Sequence, residues 1–280
     1  MICLIAPTGA LPGLHAGPNL QALLRGATEL KPVRVDEQGL HSPLERCLSR
    51  LRGGPESGAL PLAAWRLPAS PKTPAGLPWA LVSPLHIELQ ASQAVALPQQ
   101  ALQLSAAHSQ ALFSLLSPLF PAEEGWHQQQ LDTLTWALGH EQLAGLQLAS
   151  LERAVDRPLS PWLPQERWLR RMTNEAQMLL HEHPVNQERV AQGLLPVNTI
   201  WWWGAGALQG QALPENTTVH RPTDWQAADP LLAPWVGAQD FELWLAGERQ
   251  ARGFRVQRRL SLWQRLTARD PQADPILASL

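Results

Sequence analysis

The 280-residue sequence is long enough for one large domain or two small ones, with ample length to bury a core. Its formal net charge of −2 at pH 7 lacks the basic excess that accompanies nucleic-acid and acidic-membrane binding, so we expect neither partner. Its two cysteines, Cys3 and Cys47, exclude a disulfide framework and a zinc-finger spacing. The sequence also has no run of about 18 apolar residues, and residues 1–17 lack the basic start of a secretory signal. We therefore expect a cytoplasmic protein without a membrane span.

Hydrophobic spacing and capping residues predict the elements of the first half of the chain. An apolar run over residues 2–6 predicts a buried strand that ends in a loop rich in proline and glycine. Ser42 and Glu45 have the spacing of a capping box at the start of a helix. The other predictions are a strand over 79–89 that pairs with 94–97, a helix over 105–119, and a hairpin over 126–138 that turns near Leu131 and Asp132.

The helix predicted over residues 165–181 and the segment after it organise the chain. The apolar residues of this helix recur at three- and four-residue spacing and predict one buried face: Trp168, Leu169, Met172, Ala176, Leu179 and Leu180. Pro184 disfavours helical geometry at His183 and predicts that the helix stops there. A short second helix follows, with Asn186 as its N-cap residue and Gly193 after its end.

A strand over residues 197–203 follows the second helix. Alternation places Trp201 and Trp203 on one face and Trp202 on the other. A strand that is apolar on both faces is typical of the middle of a layered α/β domain, and residues 204–206 form a turn after it. Further on, residues 241–251 predict a helix and residues 260–266 a strand or a helical turn.

A polar stripe on the helix over 165–181 is the first candidate site. Arg170, Asn174, Gln177 and His181 lie four, three and four residues apart, so they share one helix face. These side chains form either the wall of a ligand cleft or an ordinary solvated face.

The second candidate site begins at His183 and ends at Asn198. Arg189 and the free N–H groups at the start of the second helix have the chemistry to hold an anion together. The alternative is that Asn186 caps the helix and Arg189 lies on the surface. Other chemistry finds little support, because no His-Glu-x-x-His, no Gly-x-Ser-x-Gly and no zinc spacing occurs.

This region carries a resemblance to known proteins. The motif reads His183-Pro-Val-Asn186-x-x-Arg189, then Gly193, Pro196-Val-Asn198 and Trp201-Trp-Trp-Gly204-x-Gly206. It resembles a block of the archaeal-type cofactor-independent phosphoglycerate mutases over residues 165–206. With Asn174 and Met178 ahead of it, and with similar blocks at Pro18-Asn19-Leu20 and Pro84-Leu-His86, the chain is also similar to a bacterial family over most of residues 1–235. That family is labelled regulatory protein RpfE or phosphoglycerate mutase.

The resemblance implies a fold and restricts the chemistry. It implies an α/β class, a layered and truncated alkaline-phosphatase-like sheet with flanking helices, in one domain over 1–280 with parts at 1–60, 61–165, 166–206 and 207–280. True mutases of that superfamily use a Ser or Thr nucleophile and two divalent metal ions held by Asp and His. This sequence has no Asp-Gly after its first strand and no Asp-x-x-x-His or Asp-His anywhere. We therefore expect no catalytic residue, no bound metal and no cofactor.

The resulting hypothesis is a non-catalytic, regulatory phosphoglycerate mutase-like protein that binds a small phosphorylated or carboxylate anion. The predicted ligand-binding residues are Asn174, His183, Asn186, Arg189 and Asn198. Two alternatives stay open. One is an active metal-dependent phosphomutase or phosphatase, and the other is a protein that binds a protein partner and needs no ligand.

Overall fold

The computed structural model describes residues 1–6, 17–68, 73–207, 212–238, 240–247 and 249–257. The chain forms two compact units. Unit 1 combines Met1–Pro32 with Asn216–Leu280, and unit 2 is Val33–Glu215. The assignment of all 280 residues to one domain stays a prediction.

The described residues form a mixture of strands and helices. The strands are β1 (Ile2–Ile5), β2 (Thr28–Glu29), β3 (Val33–Arg34), β4 (Trp79–Leu85), β5 (Ile87–Gln90), β6 (Gln93–Ala96), β7 (His127–Asp132), β8 (Thr135–Gly139), β9 (Thr199–Gly206), β10 (Thr217–His220), β11 (Phe241–Ala246) and β12 (Gln250–Val256). The α-helices are α1 (Pro18–Leu24), α2 (Pro43–Leu51), α3 (Leu62–Arg66), α4 (Ala106–Leu116), α5 (Leu151–Ala154), α6 (Arg167–His181), α7 (Pro184–Ala191) and α8 (Trp225–Leu232). Short 3₁₀ helices cover Gln99–Leu102, Ser117–Leu119, Ala122–Glu124, Glu141–Leu143, Ser160–Trp162 and Ala233–Trp235.

Unit 1 is built on a sheet with the strand order β10-β1-β11-β12-β2. β1 runs parallel to both β10 and β11, and β12 runs antiparallel to β11 and β2. Parallel strands need a crossover connection, and α8 lies in the connection from β10 to β11. The core contains alternate residues of β1 and β11, apolar residues of α1 and α8, and one residue of β12: Cys3, Ile5, Leu20, Leu23, Ala228, Leu232, Phe241, Leu243, Leu245 and Phe254.

Unit 2 contains a four-stranded antiparallel sheet with the order β7-β8-β4-β9, and a separate hairpin of β5 and β6. Every residue of β4 is buried, as are Thr199–Ala205 of β9. Trp202 packs in a cluster with side chains of α4 and α6, whereas Trp201 and Trp203 pack in a second cluster with side chains of α3. The predicted alternation of the three tryptophans is confirmed, and so is the α/β class with sheets and flanking helices.

The predicted position of the tryptophan strand within its sheet is wrong. β9 lies at the end of the strand order within the described ranges and pairs with β4, so it is not central. Its apolar character has another cause, because α3 and α6 cover its two faces.

The predicted turn over residues 204–206 is also wrong, since these residues continue β9. Gly204 has a φ of +64°, and a Cβ there would lie 2.7 Å from Leu62 Cβ. This glycine therefore serves a close approach of β9 to α3.

Most of the other predicted elements are confirmed, and one is not. The capping box is present, since Ser42 Oγ accepts from Glu45 N at 3.2 Å and Glu45 Oε2 accepts from Ser42 N at 2.8 Å. The hairpin of β7 and β8 turns at Thr133 and Leu134 instead of two residues earlier.

The helix predicted over residues 241–251 is wrong, because this segment forms β11 and the start of β12, whose core residues alternate with a period of two. Residues 260–266 lie outside the described residues.

Candidate functional site

The start of α7 positions the first residues of the shared motif. Pro184 occupies the first helical position, where a missing N–H leaves no helical hydrogen bond unmade. His183 is the N-cap residue, is half-buried, and accepts a hydrogen bond at Nδ1 from Val185 N at 3.3 Å. The prediction that Asn186 caps this helix is wrong, because the cap falls at His183 instead.

Asn186 joins two segments through its side chain, which is buried. Its Nδ2 donates to the carbonyl oxygens of Leu180 and Val197, both at 2.7 Å. Its Oδ1 accepts from Val197 N at 2.9 Å. The carboxamide therefore ties the end of α6 to the residues that lead into β9.

Arg189 is completely buried, with 0% of its surface exposed. Its Nε and Nη2 donate to Leu195 O at 3.0 and 2.8 Å, and Nη2 also donates to Leu102 O. Burial lowers the pKa of the guanidinium from its ordinary value. The alternative prediction that Arg189 lies on the surface is wrong, because its guanidinium forms hydrogen bonds with these main-chain carbonyl groups inside the protein.

His108 of α4 supplies the remaining acceptor for Arg189. Arg189 Nη1 donates to His108 Nδ1 at 3.3 Å, so Nδ1 must be the unprotonated ring nitrogen. His108 Nε2 lies 3.7 Å from Oε1 of Glu188, whose side chain is 57% exposed. Each of the three guanidinium nitrogens thus has an acceptor within unit 2.

The Asn198 side chain forms hydrogen bonds with the main chain of Ile87, the first residue of β5. Its Oδ1 accepts from Ile87 N at 2.8 Å, and its Nδ2 donates to Ile87 O at 2.9 Å. The carboxamide thus takes the place of a neighbouring peptide group. Beside it, His86 Nδ1 and Pro196 O form a hydrogen bond of 2.8 Å.

We refer to His86, Asn186, Arg189 and Asn198 as the clasp. The first three side chains bond the main chain of residues 195–197. The fourth, Asn198, follows that segment and bonds the main chain of Ile87. Three of its members belong to the predicted ligand-binding set. His86 was visible in the sequence as part of a similar block, Pro84-Leu-His86, but no spacing linked it to Asn198. His108, which contacts Arg189, gave no signal in the sequence.

Asn174 and the polar stripe of α6 lie apart from the clasp. Asn174 and His181 are exposed, and Arg170 donates to the carbonyl oxygens of Pro164 and Gln165, each at 2.8 Å. Gln177 is half-buried and donates to Thr199 Oγ1 at 3.0 Å. The stripe is therefore divided between solvent and contacts with the protein itself.

The described residues contain neither a group of metal-ligating side chains nor a membrane-spanning helix. Within residues 1–6, 17–68, 73–207, 212–238, 240–247 and 249–257, no three His, Cys, Asp or Glu side chains lie close enough to share a metal ion. In the same part of the chain, no helix combines the length and the apolar character that crossing a membrane requires.

The chain is distantly similar to the cofactor-independent phosphoglycerate mutases. No family model matches it. A stretch of 55 residues is 45% identical to the 2,3-bisphosphoglycerate-independent phosphoglycerate mutase of Methanothrix thermoacetophila. This stretch covers 19% of the chain and 14% of that enzyme, so most of the enzyme has no counterpart in the match.

Two solved structures are similar at low sequence identity. The cofactor-independent phosphoglycerate mutase from Thermoplasma acidophilum is 13% identical with a TM-score of 0.37, and the match covers 93% of this chain and 90% of that one. The PH0037 protein from Pyrococcus horikoshii is 12% identical with a TM-score of 0.45, with 91% and 87% covered.

Proposed function

We propose that this protein is a non-catalytic, regulatory relative of the cofactor-independent phosphoglycerate mutases that acts through a protein partner. The observation that carries the proposal is the burial of Arg189, the cation of the shared motif, against carbonyl oxygens of its own chain. An arginine that recognises a phosphate or carboxylate needs free N–H groups facing the ligand. In this proposal the motif holds β9 in place and does not bind a substrate.

The sequence supports the absence of catalysis. The two-metal chemistry of the mutase superfamily needs Asp and His ligands, and the 280 residues contain neither Asp-x-x-x-His nor Asp-His. The likeness to the bacterial family labelled regulatory protein RpfE supports a regulatory role, and membership of that family and an alkaline-phosphatase-like sheet are parts of the proposal. A cytoplasmic location is supported by two buried cysteines that form no disulfide.

A small anionic ligand is the second candidate function. It has support from Asn174 and His183, which are exposed and half-buried and so keep polar atoms near solvent. It would require Arg189 to exchange its bonds to Leu102 and Leu195 for bonds to the ligand. Loss of those bonds leaves the buried carbonyl group of Leu102 and the partly buried one of Leu195 without this partner, which costs about 1–3 kcal/mol each.

Enzymatic turnover and a ligand-dependent rise in melting temperature distinguish the partner-binding protein, the anion-binding protein and the enzyme. Purified full-length protein is assayed for interconversion of 2- and 3-phosphoglycerate with added Mn²⁺ or Zn²⁺, and the Methanothrix thermoacetophila enzyme is the positive control. Its melting temperature is measured with 3-phosphoglycerate and with inorganic phosphate. We expect no turnover and no saturable rise in melting temperature. Turnover would establish the enzyme instead, and a saturable rise that His183→Ala removes would establish the anion-binding protein.

The partner itself requires a positive result. The tagged protein is expressed in its native cell, and the proteins that copurify with it are quantified against a tag-only control. We expect a stoichiometric partner that binds the purified chain again when both are recombined without metabolites. A chain that recombines with no copurified protein under these conditions would remove the support for a partner.

A further inference from the structure

The outer edge of unit 1 carries unpaired main-chain groups. β10 lies at one end of the strand order and pairs with β1. Ile2 N donates to Asn216 O at 2.9 Å, and Ala6 N donates to His220 O at 3.0 Å. In a parallel pair the bonding residues alternate along the strand, so Thr218 also faces β1.

The same alternation directs Thr217 and Val219 away from β1. Their N–H and C=O groups have no hydrogen-bond partner among the residues that the structure describes. Of these two outward-facing residues, Val219 is 36% exposed and Thr217 is half-buried, so this edge is partly accessible. The edge therefore presents two donors and two acceptors to an incoming strand.

β10 has only four residues and is followed by Arg221 and Pro222, so its protection against pairing lies in its length and its flank and not in the strand itself. Edge strands commonly carry a lysine, a proline or an inward charge that prevents pairing with another chain. β10 reads Thr-Thr-Val-His, so its first three residues are uncharged and β-branched, which favours strand pairing.

We propose that β10 is a dimerisation edge that pairs antiparallel with β10 of a second copy of this chain. The outward groups are self-complementary about a two-fold axis at Thr218. Thr217 of one copy then faces Val219 of the other, and each such pair exchanges two hydrogen bonds. The two pairs make four bonds and join the two sheets into one continuous sheet.

The side chains fit the same arrangement. Thr218 meets its symmetry mate at a position without main-chain hydrogen bonds, where facing side chains come closest, and Thr–Thr pairs are favourable there. Each Thr217 faces a Val219, which places two β-branched side chains beside one another. A two-fold axis is also the symmetry of most homodimers, in which one surface patch binds its own copy.

Substitutions at Val219 test the proposal, because its N–H points away from β1. Val219→Pro removes this donor from both copies, so two of the four bonds are lost while the bonds to β1 remain. Dimerisation should weaken by about thirtyfold, at roughly 1 kcal/mol for each bond. Val219→Thr keeps the donor and the β-branched shape and should dimerise like the wild type. Val190→Pro would break a helix, so the surface control is Val190→Thr on α7, where 59% of the valine is exposed.

The measurements are the molar mass by light scattering over a range of concentrations and amide hydrogen exchange. We expect the same dimerisation curve for the wild type, Val219→Thr and Val190→Thr. For Val219→Pro we expect a dissociation constant about thirtyfold higher with an unchanged circular dichroism spectrum. Exchange at the Thr217 and Val219 amides should slow as the wild-type concentration rises. A wild type that stays monomeric, or a Val219→Pro variant that dimerises as tightly as the wild type, would overturn the proposal. Neither result depends on the proposed function.

Discussion

Arg189 donates two hydrogen bonds to the carbonyl oxygen of Leu195, from Nε at 3.0 Å and from Nη2 at 2.8 Å. This contact links the last turn of α7 to the segment that leads into β9. The same Nη2 reaches Leu102 O, at the end of a 3₁₀ helix. One buried side chain thus joins α7 to the segment just after it and to a 3₁₀ helix that lies 87 residues earlier in the sequence.

Replacement of Arg189 by methionine should destabilise the protein strongly. Methionine keeps most of the side-chain volume but donates no hydrogen bond, so the buried carbonyl group of Leu102 and the partly buried one of Leu195 lose their partner. At about 1–3 kcal/mol for each orphaned group, the free energy of unfolding should fall by roughly 2–6 kcal/mol. Arg171→Met on α6 is the control, since this side chain is 80% exposed and its loss should change stability by about 0.5 kcal/mol or less. Urea unfolding of both variants decides the matter, and an unchanged midpoint for Arg189→Met would mean that the arginine is free to serve a ligand.

The sequence predicts much of the fold because its signals are local. The spacing of Leu169, Ala176 and Leu180 finds α6, and the alternation of the three tryptophans finds the two faces of β9. The end position of β9 follows from its pairing with β4, and its apolar character from contacts with α3 and α6; no local pattern in the sequence records these long-range contacts. The helix predicted over residues 241–251 fails for a related reason, because its apolar residues fit a period of two as well as a helical spacing.

The candidate site also depends on long-range contacts that local sequence patterns do not record. Residue types identify Asn186, Arg189 and Asn198 as polar groups that need hydrogen-bond partners, but they do not say whether a ligand or the main chain supplies them. Arg189 depends on Leu102 and His108, which lie more than eighty residues earlier in the chain. Such long-range acceptors are invisible to spacing, so the choice between a ligand contact and a structural contact required the structure.

Asn186 and Asn174 should respond differently to the same substitution. Asn186→Ala removes three hydrogen bonds in a buried place and leaves Leu180 O and both main-chain groups of Val197 without this partner. We expect a loss of about 2–4 kcal/mol, at roughly 1 kcal/mol for each bond and more for the orphaned groups. Asn174→Ala removes an exposed side chain and should leave the thermal midpoint within error. Differential scanning calorimetry compares the two, and equal midpoints would contradict the structural role of Asn186.

Cys3 should make the stability of the protein depend on alkaline pH. Burial in β1 raises the pKa of its thiol from 9.0 to about 12. Between these values the unfolded chain loses the proton and the folded chain keeps it. The contribution of the thiol to stability is therefore complete below pH 9 and is lost as the pH rises towards 12, at up to about 1.4 kcal/mol per pH unit.

The Cys3→Ala variant isolates this effect, because all other titrating groups are common to both proteins. From pH 8 to pH 10, the free energy of unfolding measured in urea should fall by about 1.4 kcal/mol more for the wild type than for the variant. Parallel curves for the two proteins would show that the thiol ionises at the same pH in the folded and unfolded chain.

Gly204 and Gly193 form a matched pair that separates backbone strain from steric contact. Both adopt positive φ, +64° at Gly204 and +75° at Gly193, so an alanine at either position carries the left-handed penalty of about 1–2 kcal/mol. At Gly193 an added Cβ meets nothing within 4 Å, whereas at Gly204 it would lie 2.7 Å from Leu62 Cβ and 3.3 Å from Ala63 N. The second position leaves no room for the new methyl group unless α3 moves away from β9, which adds about 1–3 kcal/mol. In urea unfolding, the free energy of unfolding of Gly204→Ala should therefore be lower than that of Gly193→Ala by about 1–3 kcal/mol.

A double variant, Gly204→Ala with Leu62→Ala, tests which atoms of Leu62 make the contact. Alanine at position 62 lacks the outer atoms of leucine but keeps Cβ, so the double variant should not regain the lost stability. Recovery of full stability in the double variant would mean that the outer atoms of Leu62, and not the spacing of the two backbones, set the contact between α3 and β9.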